Sequence, residues 1–226
     1  MHINESKLIE NITRLVVKEL QEHHLLEKEK KTHVPVSISA RHLHLQQEHV
    51  DILFGKGYQL TFYKEISQPG QYACNEKVIL KGPKGTIENV RVLGPLRKQT
   101  QIEISRTDAR KLGLNPPVRN SGNLTGSAPI ALVGPVGLVE LLEGCIIADR
   151  HIHMTPKDAI EFGVADKQKV SVLVDGEKGG VMGQVTIRVN ERYALDMHID
   201  TDDANAFNLN GNEMLKNITR VTEVLL

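Results

Sequence analysis

Two short segments of this 226-residue chain nearly repeat one another: Arg41-His42-Leu43-His44-Leu45 and Arg150-His151-Ile152-His153-Met154. Histidine alternating with bulky aliphatic residues suits a β-strand and little else, because successive strand side chains point to opposite faces. His42 and His44 then share one face about 6.5–7 Å apart, and so do His151 and His153. Two imidazoles placed this way can converge on one cation, and neutral imidazole is the commonest metal ligand. A single His-x-His strand is more often a pair of surface or hydrogen-bonded histidines. Two copies in matching contexts point to metal.

Composition narrows the field of partners. Lys+Arg and Asp+Glu both total 28, so no net field attracts nucleic acid or an acidic membrane surface. Aromatic residues make up 4% and tryptophan is absent, which argues against a stacking platform for single-stranded nucleic acid. No apolar run approaches the ~20 residues of a membrane span, and the N-terminus lacks the apolar core of a signal peptide. Cys74 and Cys145 sit among aliphatic residues and read as buried free thiols, suited to a reducing cytoplasm.

Residues 1–20 carry the clearest helical pattern, with Leu8, Ile9, Ile12, Leu15, Val16 and Leu20 in one apolar stripe. A segment rich in Glu, Lys and His follows over 21–33 and reads as a charged linker. Such a helix either packs on its own domain or a second subunit, or docks to another protein. From Val36 onward, short aliphatic strands and turns take over. Strands are expected at 36–40, 76–81, 87–93, 101–104, 128–133, 169–174 and 185–189, with Gly82-Pro83-Lys84-Gly85 as a hairpin turn. Ser105-Arg106-Thr107-Asp108 through Gly113 matches Thr155-Pro156-Lys157-Asp158 through Gly163, and Leu45 to Gly55 is a looser copy. Each is a capping residue, a short helix and a terminating glycine. The expected fold is mainly β: two related small β-barrel domains capped by short α-helices, plus the N-terminal amphipathic helix. The boundaries are 34–140 and 141–226, and the first strand could belong to either barrel.

Beyond the histidine pairs, Glu103 in Gln101-Ile102-Glu103-Ile104 and His198 in Asp196-Met197-His198-Ile199 stand in strand-like alternation. Six candidates fit two metal ions with three protein ligands each, leaving open positions as a catalytic site needs. Arg97 follows the Gly94-Pro95 turn, and Arg119 to Ser127 surrounds two glycines with small donors. That stretch is either an anion site or an ordinary turn-rich loop, and it matches neither the Walker pattern nor the dinucleotide fingerprint.

Ser39 to Leu45, Gly94-Pro95-Leu96-Arg97, Arg119-Asn120-Ser121-Gly122 and Asp149 to Met154, in this order, resemble the phosphotransacylases of propanediol utilisation. The resemblance covers residues 34–215 and shows no departure at the motif positions. It implies interconversion of a short-chain acyl-CoA plus phosphate with acyl phosphate plus coenzyme A, by direct phosphate attack at two zinc ions between two β-barrels. It assigns His42, His44 and Glu103 to one zinc, which meets the CoA sulfur. His151, His153 and His198 are assigned to the other, completed by water or phosphate. Arg97 would bind phosphate or the oxyanion, and Ser121 the phosphate. Cobalt or another divalent ion is not excluded.

Residues 1–20 are similar to encapsulation peptides of the family. This implies docking to shell or core proteins and a place inside a bacterial microcompartment in the cytoplasm. A homo-oligomer is compatible with the sequence, and neither nucleic acid nor membrane is expected as a partner. The alternatives are a two-zinc hydrolase of phosphoesters or amides and a structural zinc protein of an assembly. Hydrolases of that kind usually add a carboxylate bridging the metals, and no obvious second carboxylate stands beside Glu103. Structural sites are closed and thiolate-rich, unlike six His/Glu candidates without paired cysteines.

Overall fold

Leu43 and Ile152, the aliphatic residues inside the two His-x-His segments, are completely buried, each in the core of a separate barrel. The computed structural model describes residues 9, 12–16, 18, 19, 33–211 and 213–220. The chain divides into two units, Met1–Thr32 and His33–Leu226. In the first unit the described residues are helical, and Ile9, Ile12, Leu15 and Val16 are exposed. Leu8, Leu20 and the charged stretch 21–32 lie outside the described residues. His33, expected to close that stretch, instead opens a strand.

Among the described residues the second unit holds fourteen strands: β1 (His33–Ser39), β2 (His42–His44), β3 (Phe62–Glu65), β4 (Tyr72–Lys81), β5 (Thr86–Gly94), β6 (Gln101–Glu103), β7 (Val118–Arg119), β8 (Ala128–Val133), β9 (Leu138–Ala148), β10 (His151–Met154), β11 (Lys169–Val174), β12 (Gly180–Val189), β13 (Asp196–Asp200) and β14 (Met214–Arg220). One ring runs β4-β5-β2-β6-β9-β8 and closes where β8 pairs β4. The other is the closed barrel β1-β13-β10-β12-β11-β14. The two share one plan. β2 lies parallel to β5 and antiparallel to β6, and β10 lies parallel to β12 and antiparallel to β13.

The sixth place completes the correspondence. β9 runs parallel to β6 in the first barrel, and β1 runs parallel to β13 in the second. The first strand of the unit thus joins the second barrel, while β9 carries the first barrel through residue 148. Each of these strands leads directly into the His-x-His strand of the opposite barrel. The chain therefore crosses between barrels twice, at Ala40-Arg41 and at Asp149-Arg150. Gly144 misleads a sequence-based boundary. With φ +153 and its N–H donating to Ser127 Oγ at 2.7 Å, it is a kink inside the long strand β9.

Each barrel buries an aliphatic core, and each such side chain contributes roughly 1.5–3 kcal/mol on burial. Four short helices cap the rings: α1 (Gln47–Phe54) and α2 (Arg106–Leu112) on the first, α3 (Pro156–Phe162) and α4 (Thr201–Phe207) on the second. Ser105 with Asp108 and Thr155 with Asp158 form the expected capping boxes, and Gly113 and Gly163 terminate those helices in left-handed conformation. The topological equivalents differ from that sequence match. α1 and α3 both follow His-x-His strands, whereas α2 pairs with α4, whose N-cap is Asp200. The similarity of α2 to α3 comes from shared capping chemistry.

Candidate active site

The register sets where the third member of each group falls. His42 stands opposite Glu103 across β2–β6, and His151 stands opposite His198 across β10–β13. In each group, His42-His44-Glu103 and His151-His153-His198, one ligand atom per residue lies within 4.8 Å of the others. Ligands around a tetrahedral zinc stand about 3.3 Å apart, so a small contraction suffices. Both groups, with Arg97 and Ser121, line one cavity of about 220 Å³. All eight residues singled out in the sequence are brought together there.

The arginine that precedes each histidine pair is engaged elsewhere. Arg41 grips Asp108 with Nε and Nη2, both at 2.8 Å, and Arg150 holds Asp203 at 3.0 Å. Both carboxylates sit at the third position of the helix that follows the third-ligand strand. These arginines tie the crossover segments to α2 and α4.

Several features of the site fit a bound cation. His42 Nδ1 lies 2.9 Å from the Ala40 carbonyl and His151 Nδ1 lies 2.8 Å from the Asp149 carbonyl. An Nδ1–H that donates there leaves Nε2 with its lone pair toward the site, the usual arrangement of a ligating histidine. His151 Nε2 and His153 Nε2 are 2.9 Å apart, which is repulsive for two lone pairs unless a proton or cation lies between them. Among the described residues, Nδ1 of His44 and Nδ1 of His153 are buried without a hydrogen-bond partner, a cost of about 1–3 kcal/mol each when unrelieved.

The electrostatics agree with this arrangement. Burial, then the charges of Arg97 and His42, push His44 well below its ordinary value. Burial and then His198 lower His151 to about 4, while burial and then His151 lower His153 to about 2. These imidazoles are neutral at pH 7 and offer lone pairs. Burial would raise the Glu103 carboxyl, but His42, His44, the Ser121 hydroxyl and Arg97 outweigh it and hold it at about 2. An ionised, buried carboxylate beside neutral imidazoles is a donor set suited to a divalent ion.

Arg97 enters from the segment after β5, where Gly94 allows close approach: a Cβ there would meet the Tyr72 ring at 2.3 Å. Its backbone N–H donates to the Leu45 carbonyl at 2.9 Å, and its guanidinium donates to Ser121 Oγ at 3.1 Å. Gln101 holds the same loop, donating to Ser121 Oγ at 2.8 Å and accepting from the Gly122 N–H at 2.7 Å. The same Gln101 amide also donates to Glu103. In the second barrel Asp196 takes the place of Gln101, and its carboxylate accepts from His198 Nε2 at 2.9 Å.

Sequence reasoning missed Gln101 as well as Asp196. Their signal is the same two-residue strand period that exposed the histidine pairs. Gln68, Arg188 and Tyr193 also line the cavity and were missed. Gln68 reaches from the β3–β4 loop to the other barrel, exchanging hydrogen bonds with the Ala194 backbone at 3.0 and 3.3 Å. A single polar residue in a loop carries no period, so no pattern marks it.

Comparison with known proteins identifies the family. Residues 35–210 match the family model described as phosphate propanoyltransferase. The chain is 57% identical over 205 residues to the phosphate propanoyltransferase of Lachnoclostridium phytofermentans, covering 89% of this chain and 94% of that protein. It is 55% identical over 181 residues to the one from Thermotoga maritima, covering 80% and 86%. It is 48% identical over 198 residues to the one from Clostridioides difficile, covering 88% and 93%. With three-quarters of its length inside the family model and such relatives at near full coverage, the chain belongs to the phosphate propanoyltransferase family.

Proposed function

We propose that this chain interconverts a short-chain acyl-CoA, propionyl-CoA or acetyl-CoA, plus phosphate with acyl phosphate plus free CoA. The observation that carries the reading is the single cavity lined by both ligand groups together with Arg97 and Ser121. A phosphate oxygen attacks the thioester carbonyl carbon, and the new C–O bond gives a tetrahedral oxyanion. Its collapse breaks the C–S bond, leaving acyl phosphate and the CoA thiolate. His42, His44 and Glu103 would hold one zinc and His151, His153 and His198 the second, supplying Lewis acidity and a soft partner for a thiolate.

Arg97 donates to phosphate or to the developing oxyanion, the type of preorganised contact that lowers acyl-transfer barriers. Ser121 accepts from both Arg97 and Gln101. These bonds fix Ser121 beside the Arg97 guanidinium, where its hydroxyl suits a phosphate contact. In this reading the first group faces the CoA sulfur and the second faces phosphate and water. The exposed Ile9, Ile12, Leu15 and Val16 suit a docking helix for microcompartment shell or core proteins.

The test supplies metal-loaded protein with propionyl-CoA and a thiol reagent, with and without phosphate. Thiol release that requires phosphate and yields propionyl phosphate is expected. Equal release without phosphate would mean hydrolysis and would overturn the reading. Deleting residues 1–20 should leave this activity unchanged and abolish co-purification with shell proteins. Activity lost with the helix would make it part of the fold instead.

A further inference from the structure

Arg188 is a second guanidinium in the cavity, contributed by the barrel opposite to Arg97. It lies on β12, paired with His153 on β10. Its one side-chain hydrogen bond among the described residues is a long 3.4 Å contact to Tyr193 Oη, with the ring 5.9 Å from the guanidinium. Among those residues no carboxylate pairs with it. Tyr193 is itself fixed by an edge contact to the His153 ring, centroids 4.3 Å apart.

The duplication shows that the barrel plan does not call for a cation at this position. One step beyond the Leu43–Val92 pair, Leu93 holds the place in the first barrel that Arg188 holds in the second. Leu93 lines the same cavity. An aliphatic side chain therefore satisfies the strand plan, and a guanidinium there answers to something else. After burial and Glu103, the Arg188 charge is the next influence on Arg97, and it disfavours the charged form of Arg97. Two like charges in one small cavity are stabilised by an anion placed between them.

We propose that Arg188 is a second phosphate-gripping catalytic residue, so that the attacking phosphate dianion is held by one arginine from each barrel. The inference rests on the reading above of acyl transfer to phosphate and adds the residue that assigns the phosphate end of the cavity. Arginine suits this role because its planar fork meets two phosphate oxygens at once, which lysine cannot do.

The experiment compares wild type, R188L, R188K and Y193F, all metal-loaded, in phosphate-dependent CoA release. Substituting Arg188 with leucine reproduces the side chain of the equivalent position. R188L is expected to raise the KM for phosphate about 10–100-fold, with the KM for acyl-CoA within about twofold. R188K should fall between the two, and Y193F close to wild type. An unchanged phosphate KM in R188L overturns the proposal, and so does an equal rise in both KM values, which would signal a structural role. If R188L does not fold, an unchanged phosphate KM in R188K overturns it. Calorimetry with inorganic phosphate alone separates the two claims. Loss of phosphate binding in R188L would support Arg188 even if the wild type released no CoA, and unaltered binding would overturn it.

Discussion

The two barrels are built on one strand plan and differ where their side chains meet the cavity. Glu103 of the first stands where the second has His198, Gln101 where it has Asp196, and Leu93 where it has Arg188. The first barrel contributes two imidazoles, the Glu103 carboxylate, the Arg97 guanidinium and an aliphatic wall at Leu93, whereas the second contributes three imidazoles and puts the Arg188 guanidinium in place of that wall. The shared features are those that position side chains: the His-x-His strand, the Nδ1–carbonyl bond of its first histidine, and the arginine clamped to the helix after β6 or β13. Backbone register thus fixes where functional groups point, and substitution at equivalent register positions sets what each does.

The comparison breaks most visibly at the proposed metal ligands. His44→Ala and His153→Ala should each lower the bound metal from two ions per chain to one and reduce turnover by about 10³-fold, on the order of 4 kcal/mol. Metal analysis beside CoA-release assays checks both. If either variant kept full turnover with one ion, the two barrels would not share a reaction. A milder change gives both barrels the same third ligand. Glu103→His should retain two ions and lose about 10–100-fold in turnover. Full activity would deny any division of labour between the sites.

Acid should separate the barrels when metal is removed. His151 at about 4 and His153 at about 2 lie below their ordinary 6.5. The unfolded chain therefore binds protons that the folded barrel refuses. Stability falls as pH drops below about 6.5, toward 4 for His151 and toward 2 for His153, by on the order of 3 kcal/mol between pH 6.5 and 5. In the first ligand group His44 adds a loss of the same sign, and Glu103, held at about 2, contributes in that direction only below its ordinary 4.5. Hydrogen exchange of the metal-free protein should show β10 and β13 losing protection before β2 and β6. The reverse order would contradict this electrostatic assignment.

The smallest effect concerns the clamps. Asp108 has a side chain only 5% exposed, against 22% for Asp203. Arg41→Ala should cost about 1–2 kcal/mol and Arg150→Ala under about 1 kcal/mol, read as melting temperatures. Equal shifts would mean that burial of the carboxylate does not decide the cost.

Much of this was legible in the sequence because strands advertise themselves by period two. The alternation in both His-x-His segments, and in Glu103 and His198 beside aliphatic neighbours, revealed together the strands and the residues that gather at the cavity. The capping boxes of α2 and α3 were equally plain, since Ser105 and Thr155 each stand three residues before an aspartate. What the sequence could not reveal was the exchange of β1 and β9 between barrels. Strand order depends on long-range pairing, and neither Val36 nor Ile146 carries a mark of its partner. Arg188 was hidden for a related reason: a charged residue on a strand reads as solvent-facing until the opposite barrel closes over it.

Metal content and phosphate dependence measured on one preparation test the central claim most directly. The wild-type chain should hold two divalent ions and release CoA from propionyl-CoA only when phosphate is present, yielding propionyl phosphate. A chain that held both ions and released CoA equally well without phosphate would contradict it.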